Sequence, residues 1–167
     1  MKPVPTVLSL FASVMLAIAA DPAQAQKTDA TASAVTDAEV NMMRKDLRDQ
    51  KKQIVAANLP LTGDEAAKFW PVYGSYTEET IKINDQRYAL IKEYAANYNN
   101  MTDPIAASLI RRWLGVDQAT TQLRLDWIPK FEQVLGEKKA AMFFQIDHRI
   151  GMMVELQLSS QLPLIQP

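Results

Sequence analysis

Residues 61–100 read LTGDEAAKFWPVYGSYTEETIKINDQRYALIKEYAANYNN. Within this stretch Phe69, Tyr73, Tyr76, Thr80, Ile83, Arg87, Leu90, Tyr94 and Tyr98 recur at steps of three and four. That period gathers side chains on one face of an α-helix, whereas a strand would need steps of two. Thr62 and Glu65 have the S/T-x-x-E spacing of a capping box, so the helix is predicted to start there. Pro71 lies inside the stripe and lacks a backbone donor. It is expected to kink the helix or delay its regular start. Asn99-Asn100 ends it.

The same chemistry extends in both directions. Upstream, Thr36 and Glu39 form a second capping-box pattern. A helix to about Ala57 should follow, with Val40, Met43, Leu47 and Ile54 on its apolar face and Asn58-Leu59-Pro60 as its stop. Downstream, Thr102-Asp103-Pro104 places a cap residue and a first-turn proline. A short helix through Ile105, Leu109, Ile110 and Trp113 is predicted to close at Gly115, with Asp117 capping the next. That next helix carries Leu123, Trp127, Phe131, Val134 and Leu135, and Pro129 is a second kink candidate. Gly136 marks a break or a bend. A last helix from about Glu137 to Ser159 buries Phe143, Phe144, Ile146, Ile150, Met153 and Val154. The tail, residues 161–167, is apolar and proline-bearing, and is expected to pack back on the body. The expected fold is all-α: an elongated, bent helical hairpin of four to five helices, two of them long, in one domain over residues 37–160.

Composition agrees. A chain of 167 residues suits a single domain, and 48% hydrophobic residues are enough for a core. The formal charge of −1 lacks the basic excess of a duplex nucleic-acid binder. Only 5 glycines argue against sandwiches, barrels and glycine-rich phosphate loops. The absence of cysteine removes disulfides, thiolate metal sites and a catalytic thiol.

The N-terminus carries a compartment signal. Lys2 is followed by an apolar run from Val7 to Ala20 and then by Ala23 and Ala25 in A-x-A arrangement. This is the plan of a secretory signal peptide over residues 1–25, with cleavage expected after Ala25. The apolar run is shorter than the roughly 20 residues that span a bilayer, so a retained anchor is the weaker reading. Residues 26–36 are small and polar and read as a flexible leader. Export to the periplasm, with no membrane span after cleavage, is the expected destination. No ATP is available there to drive a function.

Two of the helix breaks carry a resemblance. Leu61-Thr62-Gly63-Asp64-Glu65 resembles the LTxxQ motif of the periplasmic Spy/CpxP-like helical proteins, with Glu65 where that family has Gln. Leu135-Gly136-Glu137-Lys138-Lys139 sits where the family's second copy falls, before the last long helix. The order of signal peptide, helices and motifs is also similar over about residues 40–150. The resemblance implies a bent helical hairpin that dimerises into a thin cradle. It also implies an ATP-independent chaperone or an accessory to envelope-stress sensing. Chaperones of that family tend to carry Met/His-rich segments and a basic concave face. This chain has one His and a pI near 5.8. Read physically, the motif residues Leu61, Thr62, Glu65 and Leu135 specify helix starts, with Leu filling the core and Thr and Glu forming the cap.

Candidate binding residues come from the aromatic segment Phe69-Trp70-Pro71-Val72-Tyr73-Gly74-Ser75-Tyr76. Trp70, Tyr73 and Tyr76 on a kinked helix would form a groove for apolar client segments. The competing reading makes them core between long helices, with Trp70, off the main stripe, the best exposed candidate. Trp113 and Trp127 read as core. His148 lies between Asp147 and Arg149, with Glu155 two turns on, which reads as a surface ion pair rather than a metal site. Met142, Met152 and Met153 hint at soft-metal contact but read as core filling. No metal or other cofactor is expected. Acidic residues such as Asp64 and Glu78 precede Lys68 and Lys82 by four and read as surface support.

No catalytic constellation emerges: there is no H-E-x-x-H, no phosphate loop and no supported Ser-His-Asp arrangement. An enzyme is therefore the least favoured reading. The expected function is a binding module that holds unfolded envelope proteins without nucleotide. The alternative is a dedicated accessory or regulatory partner of an envelope sensor or transporter. A homodimer is expected, because the Phe69–Tyr98 stripe is longer than a short following helix can cover.

Overall fold

The computed structural model describes residues 36–165. The expected signal peptide, its cleavage site and residues 26–35 of the leader lie outside the described residues, as do 166–167. Four helices follow in order: α1 Asp37–Asn58, α2 Gly63–Asn97, α3 Asp103–Leu135 and α4 Glu137–Gln161. A single 3-10 turn, Tyr98–Asn100, joins α2 to α3. Among the described residues there is no strand, and the fold is all-α. No described helix is long and apolar enough to cross a membrane.

Residues 36–41 form the opening turn of α1. The Thr36 N–H donates to Glu39 at 2.7 Å and the Glu39 N–H donates to the Thr36 hydroxyl at 3.3 Å, closing the expected capping box. From Met42 onward the chain forms one compact unit.

In that unit successive helices run antiparallel. The longest are α2, with 35 residues, and α3, with 33, or roughly 50 Å each at the helical rise. They pack against each other along their length, and α3 packs against α4. Two apolar clusters result. The larger gathers Val55, Leu59, Phe69, Tyr73, Tyr76, Trp127, Phe131 and Phe143. The smaller gathers Leu90, Leu109 and Val116 at the other end of the α2–α3 pair.

Three expectations are corrected here. The helix predicted to close at Gly115 does not close: α3 continues to Leu135. A mid-helix glycine costs about 1 kcal/mol relative to alanine. Burial of Leu109 and Val116 on the two sides of Gly115 outweighs it. Asp117 is accordingly not a cap but an ion-pair partner of Arg87. Pro71 does not delay α2, which begins at Gly63 and runs through it, as α3 runs through Pro129. Both prolines, and the Ala67 and Leu125 residues whose carbonyls lose a donor, are exposed, so water can satisfy those groups. Finally, the aromatic stripe of α2 is not left bare. Unbroken α3 reaches along it, which removes the uncovered face on which the dimer expectation stood.

Gly136 is a break. Its φ of 73° and ψ of 159° suit glycine alone, and its N–H donates to the Glu132 carbonyl at 2.8 Å. One residue therefore reverses the chain between α3 and α4. At the far end the tail does return to the body: the Tyr94 hydroxyl donates to the Pro163 carbonyl and the Tyr98 hydroxyl to that of Leu164.

Candidate functional site

The helix starts flagged in the sequence meet in space. Thr62 caps α2: its hydroxyl accepts from the Glu65 N–H, and the Glu65 carboxylate accepts from the Thr62 N–H at 2.8 Å. Leu61 packs on the core and Leu135 is buried. The same Glu65 carboxylate receives Lys139 Nζ at 2.6 and 2.7 Å. The ammonium group of Lys139 and the cap bond hold Glu65 below the usual carboxylate range. The two motifs thus form one joint at the base of α2 and α4.

Above this joint lies the aromatic core. Phe131 and Phe143 approach to 4.3 Å between ring centres, and Phe69 meets both. Tyr73 and Tyr76 belong to this core, at 5% and 2% exposure. Of the three nominated binding residues, only Trp70 reaches the surface. It stands edge-on to Phe69 and Tyr73, with Lys52 Nζ 5.3 Å from its ring centre. With Asp49, Lys52, Gln53 and Ala56 it lines an open groove of about 380 Å³. Tyr73 and Tyr76 cannot touch a client in this packing. Trp113 is half-buried and Trp127 is buried, its indole N–H donating to Glu79 at 2.9 Å.

The sequence reading missed the polar centre of the fold. Asp147, read as part of a surface pair, is 1% exposed. One residue from each of the other three helices converges on it. Lys51 of α1 donates to Oδ1 at 2.6 Å, Arg124 of α3 to Oδ2 at 2.9 Å, and the Tyr76 hydroxyl of α2 to Oδ2 at 3.1 Å. Burial pushes the Asp147 carboxyl up, but Lys51 and Arg124 together outweigh it and hold the group below its ordinary value. Burial pushes the Tyr73 phenol up to about 12 and that of Tyr76 higher still. A carboxylate saturated by three donors and so stabilised is a poor base. Chemically this cluster fastens helices together. A visible signal existed: Asp147 falls on the same helical face as Phe143, Ile150 and Val154.

A second polar tie lies further along. Arg87, which sits on the apolar stripe of α2, is 9% exposed. Its guanidinium donates to Asp117 of α3 at 2.7 Å, lies 3.3 Å from Glu155 of α4 and stacks 5.3 Å from the Trp113 ring. Beyond it Arg112 makes a two-bond fork to Glu93.

His148 is exposed while its neighbour Asp147 is buried, as their 100° separation on a helix requires. Among the described residues no three His, Asp or Glu side chains gather as a metal-binding set. Large apolar side chains remain at the surface of three helices: Met42 and Met43 of α1, Ile110, Leu114 and Leu125 of α3, and Met152, Met153 and Leu156 of α4. This corrects the expectation that Met142, Met152 and Met153 fill the core: they are 38%, 51% and 51% exposed, because they lie off the helical face of Phe143, Asp147 and Ile150 that packs inward. Comparison with protein-family models, with curated proteins and with solved structures returns no match.

Proposed function

We propose that this chain is an exported helical binding protein that holds unfolded envelope proteins without nucleotide, in the manner of an ATP-independent chaperone. The observation that carries the reading is the exposed apolar surface of α3. Ile110, Leu114 and Leu125 are 55–58% exposed. Ile110 and Leu114 are one turn apart, and Leu125 returns to the face of Leu114 eleven residues later. Adjacent apolar side chains left at the surface of a folded domain, as Ile110 and Leu114 are, suit an interaction site. Trp70 adds a second apolar contact beside its open groove. The signal-peptide pattern of residues 1–25 supports export to the periplasm, and the resemblance to Spy/CpxP-like proteins supports the chaperone class.

The α3 surface also favours a homodimer through that stripe, and a dedicated accessory of an envelope sensor or transporter is the second reading. The three large side chains of α3 follow one helical line, a pattern that a single matched helix would also fit. One experiment separates these. Stoichiometric protein is added to several aggregating clients without nucleotide, and the periplasm is crosslinked and the complexes identified. Suppression of aggregation across clients supports the chaperone. No suppression, together with one dominant crosslinked partner, supports the accessory. Light scattering of wild type and Leu114→Asp reports whether a dimer forms and whether it uses α3.

A further inference from the structure

The attachment of α1 differs from that of the other helices. From Met42 to its end it buries one residue, Val55, with Leu59 following just beyond. Met42, Met43 and Leu47 are left at 64%, 55% and 37% exposure. Ile54 also packs on the large cluster, and the other ties are polar tips: Lys51 on Asp147, Arg44 on Asp85 and over Tyr88, and Lys52 over Trp70. These land on both α2 and α4, so α1 lies across those two helices. Beneath it sit the Tyr76 ring, 5.8 Å from Lys51 Nζ, and the buried carboxylate of Asp147.

We infer that α1 is a displaceable strap, and that the trough beneath it, floored by Tyr76 and Asp147, docks a basic amphipathic helix from a partner protein. The chemistry of the occupant is printed in α1 itself. Two apolar residues four apart, Val55 and Leu59, enter the aromatic cluster. A lysine four residues earlier reaches the buried carboxylate, and an arginine seven before that reaches Asp85. The floor is matched to that pattern by charge, because Asp147 and Asp85 face cations. Removal of Lys51 would leave Asp147 bonded to Arg124 and Tyr76, so the carboxylate keeps two of its three partners without the strap. A tethered helix competes at high effective concentration. It therefore lowers apparent affinity for an outside helix by the fraction of molecules in which the trough is open.

The inference goes beyond the chaperone reading and is separable from it: peptide capture without aggregation suppression removes that reading and leaves this one. The probe is a labelled peptide of residues 42–60, titrated into the full mature chain. Lys51→Ala should bind it about tenfold more tightly than wild type, as the open fraction rises. A third protein, Arg44→Cys with Asp85→Cys bridged by a short bis-maleimide, should not bind; the native chain has no cysteine to interfere. Equal binding by all three, or none by Lys51→Ala, overturns the inference. Should Lys51→Ala fail to fold, hydrogen exchange of the wild type decides. Amides of α1 exchanging through an opening that leaves α2 to α4 protected support the strap, and exchange of α1 only with global unfolding overturns it.

Discussion

Glu65 and Lys139 occupy the same position in their helices, the third residue of α2 and of α4, and their charged groups meet at 2.6 Å. The cap of one helix is thereby tied to the first turn of the other. Glu65→Gln should keep a capping acceptor and lose the ion pair, while Glu65→Ala loses both. Urea unfolding should rank wild type above Gln and Gln above Ala. Thr62→Ala, which removes the cap hydroxyl, should cost about 1 kcal/mol.

Asp147→Ala should be among the most damaging single changes. It leaves Lys51 and Arg124 without their buried counter-charge. Breaking such a pair from one side costs about 3–5 kcal/mol. Denaturant midpoints should show this loss, and a smaller one for Lys51→Ala, whose partner keeps two other donors.

The same carboxylate predicts acid lability. Its folded value lies below the ordinary 3.8, so its ionisation favours folding. That stability is present above the unfolded value and is lost as pH falls from there through the folded value. Wild type should lose stability progressively as pH falls below about 5, and Asp147→Asn should show a flatter dependence.

Burial raises Tyr73 from 10.0 to about 12 and Tyr76 further. The folded state prefers both phenols neutral, so their contribution is complete below 10 and disappears as pH rises through the folded values. Tyrosinate absorbance should show these two of the five tyrosines ionising last, together with loss of helix.

Gly115→Ala should stabilise the protein by about 0.5–1 kcal/mol, because a Cβ there meets nothing within 4 Å and the backbone is helical. Gly136→Ala should do the reverse, at a cost of about 1–3 kcal/mol, because of its positive φ. Thermal unfolding of the pair tests both signs. In the core, Phe131→Ala should cost about 3–5 kcal/mol, and Trp70→Ala no more than about 2. A drop in client holding by a stable Trp70→Ala would place that residue at the contact.

Much of the fold was legible in the chain because its signals are local. Three-four spacing puts Phe69, Tyr73 and Tyr76 on one face whatever surrounds them, and Thr36, Thr62 and Gly136 act within a turn of themselves. What only the tertiary structure decided depends on residues far apart in sequence. Gly115 is a fair helix end in isolation, and burial of Leu109 and Val116 carries α3 through it. Tyr73 and Tyr76 read as groove or core, and their packing with Phe131 and Phe143 made them core. Asp147 looked like a surface acid beside His148, because charge by itself argues for exposure. Lys51, 96 residues away, and Arg124, 23 residues away, supply the counter-charges that let it be buried. No local pattern fixes such a convergence; it exists only once four helices have brought their side chains to one point.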